Sequence, residues 1–141
     1  MATYVSDNVR LKTGVSAGGP AGNVLVAYGE VACTAAPSTT DTLEFFYLPA
    51  GARVLQATLE ATDMDTNVSP SLTLDIGDSG DADRLFAAST VGQAGTASTA
   101  VAVTGAGYKY TSKTKITGVA NANAATGAAG TVYLTVLYVV E

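Results

Sequence analysis

Seven of the twelve carboxylate side chains, Glu60, Asp63, Asp65, Asp75, Asp78, Asp81 and Asp83, fall in one stretch that holds no Lys or Arg. Hard oxygen donors at that density are what Ca²⁺ takes, six to eight at a time, and Asp75, Asp78, Asp81 and Asp83 are the candidate ligands. The spacing departs from a calcium loop. Counted from Asp81, an EF-hand needs Gly at its sixth and Glu at its twelfth place, where this chain has Phe86 and Gly92. Asp beside Gly and Ser also caps its own backbone in turns, and the reading as turn acids takes precedence over metal binding. Asp63 and Asp65 as an acid/base pair lack further catalytic partners. The absence of His excludes a Ser-His triad, and Ser112-Lys113-Thr114-Lys115 has the wrong spacing for SxxK. The glycine pairs near Gly18 and Gly77 match neither a phosphate loop nor a dinucleotide fingerprint. No catalytic residue, cofactor or enzyme activity is therefore expected.

Lys109, Lys113 and Lys115, alternating with Tyr108 and Tyr110, form the one basic cluster. On a hairpin, such lysines guard a strand edge against stray pairing; as a subunit contact they would complement the acidic 60–83 stretch. Tyr108 and Tyr110 are also the aromatics a sugar-binding platform would need, in a chain without Trp. Cys33 has no second cysteine to pair with, and its neighbours Val31 and Ala32 mark it as a small core residue.

The surrounding composition narrows the function classes. Apolar residues make up 48% of the 141 positions and charged residues 13%, about half the charge usual for a soluble domain. Part of the surface is thus expected to be covered in an assembly. A net charge of −5 with seven Lys and Arg argues against a nucleic-acid partner, which needs clustered cations. No run reaches the ~20 apolar residues of a membrane helix, and the first residues lack the basic start and apolar stretch of a secretory signal. Synthesis and assembly in the cytosol are expected.

The elements that must position these residues read as strands. Residues 1–22, with Gly14, Gly18, Gly19, Pro20 and Gly22, are expected to be an extended arm that a neighbour holds; residues 23–141 are expected to form one domain. A strand runs on from Asn23, with Val24, Val26 and Tyr28 on one side. Thr42–Leu48 follows, then the turn Pro49–Gly51. From Arg53 to Ala61, Leu55, Ala57 and Leu59 alternate inward against Gln56, Thr58 and Glu60. Leu72, Leu74 and Ile76 point inward from Ser71–Ile76, and Arg84–Ala87 is a short strand. Residues 88–106 read as weak strand or long loop. Tyr108–Thr111 and Lys113–Val119 read as a hairpin, and Asn121–Gly130 as a loop. Thr131–Val140 is apolar on both faces, as in a central strand or one sealed by another subunit. About eight or nine short strands without a helix imply an all-β antiparallel sandwich, and a jelly roll suits that count best.

The stretch Ala52–Gly95 resembles small virion structural proteins of tailed bacteriophages. The resemblance rests on Pro49, Gly51, Ala52 and Val54 of a turn-to-strand motif, then Thr62, Asp63 and Asp65. It continues through Ser69, Pro70, Leu74, Asp75, Gly77, Asp78, Asp81, Asp83, Arg84 and Leu85. It implies a capsid decoration, or cement, protein: an oligomeric β-sandwich on the outer capsid lattice that bridges subunits of the major capsid protein. In that setting Tyr4, Val5, Arg10, Leu11 and Lys12 of the arm are the expected capsid contacts. Phe45, Phe46, Tyr133, Leu137 and Val139 are expected to supply core or self-association surface, and threefold lattice points favour a homotrimer. The Asp motif holds a turn, with Arg84 pairing one of its acids. The competing expectations are a tail, baseplate or head-fibre-base component and a carbohydrate-binding module for host attachment.

Overall fold

The computed structural model describes residues 1–6, 9 and 23–141. They form an all-β sandwich of two packed sheets. In chain order the strands are β1 (Thr3–Val5), β2 (Leu25–Cys33), β3 (Thr42–Leu48), β4 (Ala52–Ala61), β5 (Thr73–Asp78), β6 (Asp81–Ser89), β7 (Ala97–Ser98), β8 (Thr114–Ala122) and β9 (Gly130–Val140). One sheet has the order β1-β3-β8-β5-β6 and the other β2-β9-β4-β7. All pairings are antiparallel except β1 with β3.

The alternation that marks β9 as two-sided places it at the centre of its sheet. β2 runs along one flank, from Leu25↔Tyr138 to Cys33↔Gly130, and β4 runs along the other. Val132, Leu134, Val136 and Tyr138 point into the sandwich and are fully buried. Across the core they meet Phe45, Leu74, Ile76 and their neighbours, and each such side chain contributes roughly 1.5–3 kcal/mol by leaving water.

Two bulges change what strict alternation predicts. In β3 the register against β8 shifts between Glu44 and Phe46, so the extra residue turns two consecutive phenylalanines inward. Phe45 and Phe46 are both fully buried and belong to the core, with no surface to offer a partner. In β4 the register against β9 shifts between Val54 and Gln56. Val54 takes the inward place and Leu55, expected inside, stands 47% exposed.

One other expectation is corrected. Residues 108–119 are no hairpin: Tyr108–Tyr110 lie beside β4, through Val54 N–H to Tyr108 O (2.9 Å) and Tyr110 N–H to Ala52 O (2.8 Å), while β8 pairs with β3 and β5. Of the expected arm, residues 7, 8 and 10–22 lie outside the described residues, while its first six contact β3 and the connection before it. β1 pairs in parallel with β3, Asp41 accepts from Ala2 N–H (2.7 Å) and Ser38 N–H (2.9 Å), and the Ser6 hydroxyl donates to the carbonyl of bulged Phe45.

Candidate functional site

The acidic stretch resolves into separate structural devices. Asp65, 1% exposed, accepts from the N–H groups of Ser71 (2.7 Å) and Leu72 (3.0 Å) on its own loop. It also accepts from Ala125 (3.0 Å) and Thr126 (2.9 Å) on the connection between β8 and β9. Burial pushes its pKa up, but these four N–H dipoles outweigh that and hold the carboxyl well below the usual range. Asp65 thus reinforces a join between two loops that backbone bonds also make, among them Thr66 N–H to Thr126 O (3.0 Å).

Asp78 ends β5 and is the anchor of the Asp motif. It accepts from Arg84 Nε (2.6 Å), the Tyr110 hydroxyl (3.0 Å) and Gly80 N–H (2.9 Å). Burial raises its pKa, yet Arg84, Gly80 and Tyr110 together leave it lowered. Arg84 in turn lies 3.8 Å over the Tyr108 ring, and Tyr108 meets Tyr110 edge to face at 4.9 Å. The expected Arg84–Asp pairing is thus present. Asp75 is taken up differently, by Ala88 N–H (2.7 Å) and Asn121 Nδ2 (3.0 Å). Asp83 has a raised pKa through a hydrogen bond with Asp81, burial and the charges of Asp81 and Asp75. Among the described residues, no three His, Cys, Asp or Glu form a group able to hold a metal ion.

The basic and aromatic candidates are dispersed in the same way. Lys109 lies 3.9 Å from Glu141, whereas Lys115 pairs with Glu44 (3.1 Å) and, with Lys113, faces the Tyr47 ring. Tyr110 is only 3% exposed while Tyr108 stays 36% exposed with Arg84 over its ring, so the two rings do not form one open aromatic platform. Burial pushes the Cys33 thiol up to about 12, which keeps it protonated at neutral pH. A cleft of about 350 Å³ lies between the β2–β3 and β8–β9 connections, walled by Ala36, Pro37, Ala124 and Ala128. It presents no acid, base or thiol.

Of the expected capsid contacts, Tyr4 is partly buried against the core and Val5 is exposed on β1. Arg10, Leu11 and Lys12 lie outside the described residues. Of the expected self-association residues, Phe45 and Phe46 are interior, while Tyr133, Leu137 and Val139 share the outward face of β9. That face carries exposed residues which the sequence reading did not assign to it: Val24 and Val26 at 56%, Tyr28 at 47%, and Leu55. The β2 alternation had grouped the first three on one side. Leu55 carried no such signal, because a bulge leaves no mark in hydrophobic spacing.

The chain matches no protein-family model and no curated protein. Among solved structures it is similar to a chain of the cyanophage Pam1 capsid asymmetric unit. The identity is 44% over 93% of this chain and 96% of that one, with a TM-score of 0.78. A chain in the capsid of Ralstonia phage GP4 is 32% identical over 99% of this chain and 98% of that one, with a TM-score of 0.87. A chain of the acidic stable capsid structure of Helicobacter pylori bacteriophage KHP30 covers 86% and 90% of the two chains at 15% identity and a TM-score of 0.55. That last likeness extends to the fold alone.

Proposed function

Because the chain belongs to the bacteriophage virion structural proteins, we propose that it is a non-enzymatic decoration protein, which binds the outside of the capsid lattice and cements neighbouring copies of the major capsid protein. The observation that carries this reading is the near end-to-end likeness to two phage capsid chains at 44% and 32% identity. Low charge and an exposed apolar sheet face support it, since both suit a protein that meets other proteins over much of its surface. The interleaved strand order, β2-β9-β4-β7 over β3-β8-β5-β6, supports describing the sandwich as a jelly roll. Synthesis in the host bacterial cytoplasm and attachment at the exterior of the shell belong to the same proposal.

Mechanically, such a protein works by mass action. Whatever binds the closed, expanded shell and not the opened one shifts the equilibrium toward the closed form. Contacts of the usual 1,200–2,000 Å² or so at each site, repeated over the lattice, would have to break before the shell opened. Val5 at the exposed edge of the β1-β3 pair, with Tyr4, Arg10, Leu11 and Lys12, is the first candidate for the capsid-facing side. A homotrimer is the order that threefold lattice points favour.

The test is to add purified protein to expanded capsids that lack it and to image washed particles by cryo-electron microscopy. Density at regular threefold or quasi-threefold positions is expected. A bare shell, with the native protein located instead at the tail or fibre base, would overturn the decoration role.

A further inference from the structure

Three connections meet at one end of the sandwich: residues 34–40 between β2 and β3, 66–71 between β4 and β5, and 123–129 between β8 and β9. None of them carries a charged side chain, in a chain whose net charge is −5. The acids that flank them in sequence, Asp41 and Asp65, are buried on backbone N–H groups. The three connections are also locked to one another. Thr39 N–H donates to Asn123 Oδ1 (2.9 Å) and the Ser71 hydroxyl donates to Asn123 O (2.7 Å). Asn67 Nδ2 donates to Thr126 Oγ1 (2.8 Å), while its Oδ1 accepts from Ser69 N–H (2.9 Å). Between those two anchored residues Val68 stands fully exposed. Because β2 and β4 flank β9, the connections that follow them leave on opposite sides of the segment leading into β9. Val68 is on one side of that segment. On the other lies the cleft of about 350 Å³ walled by Ala36, Pro37, Ala124 and Ala128. One uncharged end thus carries an apolar knob and an apolar hole, both held by hydrogen-bonded loops, so docking them costs little ordering entropy.

We propose that three copies of the chain meet at this end, the Val68 tip of each entering the alanine-walled cleft of the next. The inference rests on the proposed homotrimer and names the surface that builds it. Charge favours a second copy as the occupant. Every copy is net negative, so two of them approach best where neither exposes a carboxylate, and charged residues are depleted at the centre of interfaces. Shape sets the symmetry. Knob and hole occupy different places on one copy, so the contact runs head to tail, and head-to-tail contacts form a ring when the rotation closes. Three steps of such a rotation match a threefold lattice point.

The test is sedimentation equilibrium of the purified full chain without capsids, with an expected mass of three times the 14.1 kDa chain. Val68→Asp carries a carboxylate into the apolar cleft, and Ala129→Phe fills the cleft from its exposed rim. Each is expected to weaken association at least about tenfold with an unchanged thermal melt. Val103→Asp, at an exposed valine beside β6, is expected to associate like the wild type. A monomeric or paired wild type would overturn the inference. So would Val68→Asp and Ala129→Phe chains that melt normally and stay trimeric, or a Val103→Asp chain that loses association as they do. Since no capsid is present, these outcomes are independent of imaging: monomers that decorate the shell would keep the decoration role and discard the ring, whereas a trimer located at the tail or fibre base would keep the ring and discard the decoration role.

Discussion

Asp65 does more for this fold than any other acid in the stretch where metal ligation was weighed. Its shortest four backbone contacts come from two loops that are far apart in sequence. In Asn one of the two oxygens becomes an NH2 donor, so the N–H groups that faced it lose their acceptor, and an unpaired buried donor costs more than a hydrogen bond gains. Asp65→Asn is therefore expected to lower the melting temperature by more than about 5 °C, whereas Asp63→Asn, which keeps an oxygen able to accept from Asp65 N–H (3.1 Å), should shift it little. Equal melts for the two variants would contradict this account. The pH dependence follows from the same groups. Asp65, Asp78 and Asp41 have folded pKa values below those of an unfolded chain. Their stabilisation is present above the unfolded value and is lost as pH falls through the folded ones, so thermal melts should decline progressively below about pH 4. Asp83 runs the other way. Its pKa is raised, so its ionised form is disfavoured at neutral pH and protonation relieves it; Asp83→Asn should flatten that part of the profile.

At the scale of elements, the two bulges and one glycine decide which side chains face where. A Cβ on Gly29 of β2 would lie 2.7 Å from the Phe45 carbonyl oxygen and 3.1 Å from the Phe46 ring. β2 and the bulged segment of β3 therefore approach more closely than any side chain permits. Gly29→Ala is expected to cost about 1–3 kcal/mol, read as a drop in the denaturant midpoint; an unchanged midpoint would mean that the two strands can separate freely. Thr42–Leu48 with its following turn and the long final strand were legible in the sequence, because strong alternation and Pro-Ala-Gly punctuation report local geometry. The orientation of Phe46 and Leu55 was not, since each depends on a register shift set by the partner strand. The segment 108–119 misled for a related reason. Tyr and Lys alternation reports a strand-like backbone without naming the neighbour, and Tyr108–Tyr110 join β4 instead of the lysine strand. The turn role of the Asp motif was readable from Gly and Ser spacing, while the reach of Asp65 to residues 125 and 126 needed the tertiary fold.

At the scale of the whole molecule, the low charge of the chain goes with an apolar band on the outward face of the β2-β9-β4 sheet. β9 runs through the core, and Val24, Val26, Tyr28 and Leu55 share one outward face, while Val5, Val68, Val103 and Tyr108 are exposed elsewhere. The same centrality makes β9 indispensable. A chain ending before Gly130 would leave β2 and β4 with no partner between them, and it is expected to show neither a cooperative melt nor protected amides; a folded truncated chain would contradict the observed sheet order. The pairing of β2 with β9 also sets a timetable for synthesis. β2 leaves the ribosome early, and its partner strand is translated about a hundred residues later. At usual elongation rates that is a wait on the order of 5–20 s, during which Val24, Val26 and Tyr28 stand on a strand with no sheet to join. A copy still being made therefore offers pairing sites to any neighbouring nascent chain. Crowded translation late in an infection would be the stage at which this protein is most prone to aggregate.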